Sequence, residues 1–173
     1  MDAKFEKHIN LMNVVRTTTG TSYTQTADRN PIFYWDADAY DNVVAIYFEA
    51  VMRAASGDTA YMILSKVDPV GGTSDITGSE ISTTSTTNVL VRSGDIKANL
   101  TDNTDWLMAR WKKSGAAGTA SFDCARLVIV QQGAVTKTET VIELGEDNNV
   151  PSTSYSAPTD YAIFQFDSAR FNG

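Results

Sequence analysis

The sequence predicts an all-β protein, an antiparallel β-sandwich, and three observations predict it. Several stretches alternate apolar and polar residues with period two, as strands with one buried face do. Threonine and serine make up about a fifth of the 173 residues and cluster, as at 17–19, 82–87 and 152–154. Both are poor inside helices, where a β-branch or a competing hydroxyl disturbs the backbone, and both suit strands and turns. Turn signals at Gly57, Asp68-Pro69, Gly71-Gly72, Gly78, Gly94-Asp95, Asp102-Asn103, 115–118 and Gly133 fall roughly every 8 to 15 residues, which fits short antiparallel strands better than strand–helix–strand units.

Taken in order, residues 1–12 read as an N-terminal arm, polar with Phe5 ahead of the apolar Ile9, Leu11 and Met12, either loose or suited to docking on a partner. The best helical candidate is one turn at 36–40 with Asp36 as N-cap, too short to stand without packing. Residues 43–54 place Val44, Ile46, Phe48, Ala50, Met52 and Ala54 on one face and Tyr47, Glu49 and Arg53 on the other, a long half-buried strand. Residues 58–67 follow a turn at 55–58 and read as its hairpin partner. Residues 88–93 alternate Val89 and Val91 against Asn88 and Arg92, and 106–112 set Trp106, Met108 and Arg110 against Leu107, Ala109 and Trp111. A flexible turn at 114–118 leads into a long strand at 119–131, and 136–144 alternates again. The sandwich is therefore expected to span 13–144, with a C-terminal β-ribbon at 145–173.

That ribbon repeats the segment at 21–42. Thr21-Ser22-Tyr23 matches Thr153-Ser154-Tyr155, Ile32 to Asp36 matches Ile163 to Asp167, and Tyr40 matches Phe171, with seven of twenty-one aligned positions identical. A half-unit of this length buries no core alone, so it is expected to dock on its own sandwich, to dock on a neighbouring subunit, or to begin a second unit outside this chain.

Composition narrows the function. A formal net charge of -7 opposes coating nucleic acid or an anionic membrane, both of which reward positive charge. No apolar run approaches the roughly 20 residues that span a bilayer. One cysteine, Cys124, excludes an internal disulfide, and the polar N-terminus has no signal-peptide core, so synthesis in a reducing cytoplasm is expected.

Chemical motifs are sparse. His8 is the sole histidine, no Gly-x-Ser-x-Gly elbow presents a nucleophile, and the glycine pairs lack the lysine of a phosphate loop, so no enzyme and no cofactor are expected. Cys124, in an apolar run, reads as a buried structural residue. Asp36, Asp38 and Asp41 offer oxygens to calcium, but only Asp36 recurs in the C-terminal copy, which fits a cap better; 146–149 is a second acidic turn. Arg110, Lys112 and Lys113 beside Trp111 read as a solvated strand edge guarded by lysine. Tyr34, Trp35, Tyr40, Trp106 and Trp111 are core, interface or sugar-stacking aromatics. The candidate interaction residues are Phe5, Trp35, Tyr40, Trp111, Phe166 and Phe171.

Tyr47 to Ala50, Gly57 to Tyr61, Gly78 to Thr87, Val91 to Gly94 and Ala125 to Gln131 together resemble the jelly-roll-like β-sandwich modules that recur in tailed-phage virion proteins and in some bacterial surface proteins. The resemblance covers about 20–132 and rests on strand faces and turns. It implies a non-enzymatic virion protein made in the host cytoplasm, in capsid decoration or cement or in an appendage. The major capsid protein is the expected partner, and a homo-oligomer, with a trimer first, the expected assembly. The alternative is a carbohydrate-binding module of a receptor-binding fibre or surface protein, with a glycan as partner.

Overall fold

A computed structural model of the chain describes residues 4–12, 14–25, 33–67, 72–101, 105–115 and 117–136. The chain divides into two units, Met1–Glu139 and Thr140–Gly173, and the described residues belong to the first. The ribbon expected at 145–173, and all but the first residue of the strand expected at 136–144, lie outside the described residues.

Ten strands are described: β1 (Lys4–Met12), β2 (Arg16–Thr18), β3 (Phe33–Trp35), β4 (Val43–Arg53), β5 (Ala60–Val67), β6 (Thr73–Asp75), β7 (Ile81–Thr83), β8 (Val89–Arg92), β9 (Asp105–Lys113) and β10 (Ala120–Gln132). They form two antiparallel five-stranded sheets. The first runs β1-β10-β4-β8, with β2 also on β10; the second runs β3-β9-β5-β6, with β7 also on β5. The inward rows close a single core: Ile46, Phe48 and Met52 from β4, Phe122, Leu127 and Ile129 from β10, Met62 and Leu64 from β5, Leu107 and Trp111 from β9. Each such side chain contributes about 1.5–3 kcal/mol by leaving water. The antiparallel sandwich predicted from alternation is what forms. Among the described residues no helix is long and apolar enough to cross a membrane.

Three local expectations are corrected. The arm at 1–12 is, over Lys4–Met12, an edge strand of the first sheet, in register with β10 from Lys4 opposite Gln132 to Met12 opposite Ala125. Ile9, Leu11 and Met12 are buried, so their apolar spacing marked a strand face rather than a docking arm. The residues at 43–54 and 58–67 are not a hairpin. β4 belongs to the first sheet and β5 to the second, so the turn between them is an arch that carries the chain across the core. Alternation reports one buried face and is silent on whether the next strand pairs beside it or packs opposite it. Val44, expected inward, is exposed, because the register slips between Val130 and Gln131 and turns it out.

The turn from β9 to β10 is a second arch, also read as flexible from its sequence, and a buried ion pair joins the two. Lys113 Nζ lies 2.7 Å from Asp58 Oδ2, with the lysine side chain fully buried. The ammonium also donates to the carbonyls of Gly115 and Ala117. The other carboxylate oxygen accepts from Ser114 Oγ, Gly115 N and Thr59 N. Gly118 completes the closure: its φ is +73°, and a Cβ there would stand 2.6 Å from Ala55 Cβ. Gly118→Ala is expected to destabilise by about 2–3 kcal/mol, backbone strain and overlap together. Gly57→Ala, at a similar φ of +78° but with nothing near its Cβ, carries the strain alone and should lose about 1 kcal/mol. Urea unfolding of the two variants separates the terms; equal losses would remove the steric one.

Candidate functional site

Functional candidates gather where β3 ends, β9 begins and β4 leaves its turn. Pleating sends Trp35 inward and Tyr34 outward along β3. Asp36 ends that strand and caps a 3₁₀ turn at Ala37–Ala39, accepting from Asp38 N at 2.9 Å. The turn folds Tyr40 back onto Trp35, with ring centroids 5.6 Å apart and planes at 8°. Trp35 Nε1 donates to Leu100 O at 3.2 Å. A second 3₁₀ turn, Lys97–Asn99, lays Ile96 and Leu100 into the same end of the core. Asn42, at a φ of +52°, starts β4, and its amide donates to Ala134 O. Asp41 accepts from Thr136 N and Oγ1 at 2.9 and 2.6 Å. What remains between these parts is a cavity of about 410 Å³, lined by Trp35, Tyr40, Val43, Ile46 and Leu100, with Lys97 at its rim. Asp36 therefore caps its turn, as the N-cap reading predicted, and Asp41 ties the next turn to Thr136.

The outer face of the second sheet carries the exposed aromatics. Tyr34 and Trp106 are register partners on β3 and β9, 48% and 43% exposed, with ring centroids 6.3 Å apart and planes at 87°. The same rung continues through Val67 on β5 to Thr73 on β6. Further along, Arg110 donates to Thr73 Oγ1 and Asp75 Oδ1, and Ser65 Oγ donates to Asp75 Oδ1. Past these, the chain at Gly20 and Thr24 bonds to the backbone of β9. It sets Tyr23 beneath Lys112 Nζ, 4.1 Å from the ring centroid, and within 5.7 Å of the Arg110 guanidinium. Burial first, and then the hydrogen bond to Glu80, push the Tyr23 phenol above its usual range. The basic patch at 110–113 is thus no solvated edge. β9 lies between β3 and β5, Lys113 is buried on Asp58, and Arg110 and Lys112 are spent on Tyr23, Asp75 and Tyr61.

The outer face of the first sheet carries an ionic chain. Glu49, 1% exposed, accepts from Arg126 Nε at 2.7 Å and from Arg92 Nε. Arg92 passes over the Tyr47 ring, 4.9 Å from its centroid, and reaches Glu6 on β1 at 3.2 Å. His8 Nε2 lies 3.1 Å from the same Glu6 carboxylate. The Arg92 hydrogen bond, and after it that of His8, hold the Glu6 carboxyl below its ordinary value. The lone histidine is thus part of a brace that ties both edges of the sheet.

The structure separates the residues singled out from sequence. Trp35 and Tyr40 meet in one stack at the cavity, both buried. Trp111 is remote from them, buried in the core against Phe122. Phe5 is 40% exposed on β1. Phe166 and Phe171 lie outside the described residues. Cys124, expected buried, is half-buried, because the register slip after Phe122 brings it onto the outer face beside Val51. Sequence reasoning passed over the Asp58–Lys113 pair and ranked Tyr34 and Trp106 no higher than the core aromatics. The signal for the latter lay in phase: Leu107, Ala109 and Trp111 make the apolar face of β9, so Trp106 must point away from it.

No protein-family model matches the chain, and no curated protein matches it in sequence. Among solved structures it is similar to a xylan-binding module, CBM15, at 13% identity and a TM-score of 0.40, over 76% of this chain and 100% of that one. It is also similar to a chain from the structure of the infectious bursal disease virus Gx strain, at 14% identity and a TM-score of 0.37, over 77% of this chain and 37% of that one.

Proposed function

We propose that the chain is a non-enzymatic structural protein of a phage virion, assembled as a homo-oligomer on the capsid as decoration or cement, or built into an appendage. One observation carries the reading. The motifs that resemble virion β-sandwich modules fall on the strands and arches of an antiparallel sandwich: Tyr47 to Ala50 in β4, Gly57 to Tyr61 across the first arch into β5, Ala125 to Gln131 in β10. A rigid sandwich braced at both ends and across one face suits a part whose work is to hold position. The C-terminal repeat at 145–173 is the segment we assign to subunit contacts.

The test begins with native mass by light scattering. The full chain should give a stable multiple of the one-chain mass, a trimer first, and a chain cut after residue 144 should give a monomer. Particles purified from a producing culture should contain the chain by mass spectrometry. A monomeric full chain that is present in the lysate and absent from the particles would overturn the proposal.

A further inference from the structure

We propose that Tyr34 and Trp106 form a binding platform for a neutral glycan chain, independent of whether the protein sits on a virion. The sequence offered Tyr34, Trp35, Tyr40, Trp106 and Trp111 as sugar-stacking candidates, but Trp35, Tyr40 and Trp111 are buried and offer no ring face to a ligand. The other two, Tyr34 on β3 and Trp106 on β9, do reach solvent, and they do so side by side. The two rings stand on paired strands, opposite each other in register, which puts them on one face with centroids 6.3 Å apart and planes at 87°. One ring then makes a floor and the other a wall.

That shape suits a pyranose. A sugar with equatorial hydroxyls carries its C–H bonds on the ring faces, and such a face stacks on an indole or phenol while its rim stays polar. The surroundings match both parts. Val67 extends the apolar strip by one strand, and Thr73, on the next strand of the same rung, begins a polar cluster with Asp75 and Arg110. Size argues against a protein partner or a second copy. The two half-exposed rings offer roughly 200 Å², about a quarter of the roughly 800 Å² each side of a stable interface buries. Charge sets the class: Asp75 neutralises Arg110, and a net charge of -7 repels anionic sugars, which leaves neutral ones.

Affinity electrophoresis of the full chain in gels containing hydroxyethylcellulose, galactomannan or dextran tests the proposal, with alginate as the anionic probe. At least one neutral polysaccharide should retard the protein and alginate should not. Trp106→Ala should weaken retardation at least tenfold, Tyr34→Ala several-fold, and Trp106→Phe, which keeps a ring, should retain most of it. Leu90→Ala, at an exposed residue on the other sheet, should change nothing. The retarding sugar should also shield tryptophan fluorescence from acrylamide, since Trp106 is the exposed one of three tryptophans. No retardation by any neutral polymer, retardation by alginate alone, or retardation that Trp106→Ala and Tyr34→Ala both leave intact would each overturn it.

Discussion

Lys113→Met is expected to lower the melting temperature by roughly 10 °C or more at neutral pH. Methionine keeps the apolar stem of the lysine but removes the ammonium. Asp58 then retains Ser114 Oγ and two backbone N–H donors with no cation beside it. The carbonyls of Gly115 and Ala117 lose their donor as well. A charge left unpaired in the interior is far more destabilising than the loss of the pair as a whole, so Asp58→Asn combined with Lys113→Met should recover part of the fall. Thermal unfolding followed by circular dichroism reads all three proteins. A single variant melting within two or three degrees of the parent, on the order of a 1 kcal/mol loss, would show that the two arches hold without their clasp.

The same pair predicts a pH dependence. The Lys113 ammonium first, then the Ser114 hydroxyl and the backbone donors, hold the Asp58 carboxyl well below the usual carboxylate range, against the opposing effect of burial. A depressed folded value means that the unfolded chain takes up the proton first. The stabilisation is therefore complete above the unfolded value of about 3.9 and fades as pH falls from there through the lower folded value. The parent should hold its melting temperature down to about pH 5 and lose it below about pH 4. Asp58→Asn, less stable at neutral pH, should show a shallower acid limb; parallel limbs would place the acid sensitivity elsewhere.

Why this clasp escaped the sequence, while the sandwich did not, follows from what each depends on. Strand character is a local property: Val43–Arg53 and Ala120–Gln132 announce themselves through alternation that any pairing must respect. The core came with it, since Phe48, Met62, Trp111 and Phe122 were already in phase. Sheet membership is not local. Whether a turn makes a hairpin or an arch depends on what the rest of the chain offers to pair with, and β4 found β10 and β8 while β5 found β9. Only once two arches are brought to one end of the sandwich can Asp58 and Lys113, fifty-five residues apart, meet. In the sequence Lys113 is one of three basic residues at a strand end, and nothing in its neighbours distinguishes the buried one. The N-cap at Asp36 was legible because a cap needs only the next two residues. The exposure of Trp106 was implied by the phase of β9 yet outweighed by a general expectation that large aromatics are core.

Trp35→Ala should be the most damaging aromatic substitution at the cavity end, at about 3–5 kcal/mol. The indole is buried at 1% exposure, stacks on Tyr40, and donates the hydrogen bond that holds Leu100 O. Its removal would open a void beneath two 3₁₀ turns and leave a carbonyl without its donor. Against a typical domain stability of about 5–15 kcal/mol, that loss takes the protein near its unfolding threshold. Trp106→Ala, on the open face, should lose no more than about 1 kcal/mol, chiefly its edge contact with Tyr34. Tyr40→Ala and the double variant complete a cycle, in which the stack should appear as a coupling of about 0.5–1.5 kcal/mol. Urea unfolding gives the energies, and near-ultraviolet circular dichroism shows whether the end of the core is still ordered. If Trp35→Ala proved no worse than Trp106→Ala, the chain around Trp35 would have to close over the missing indole rather than keep the void. If the expected difference is found, any glycan binding lost with Trp35 reflects a collapsed scaffold, whereas binding lost with Trp106 in a protein of unchanged stability reports the platform itself.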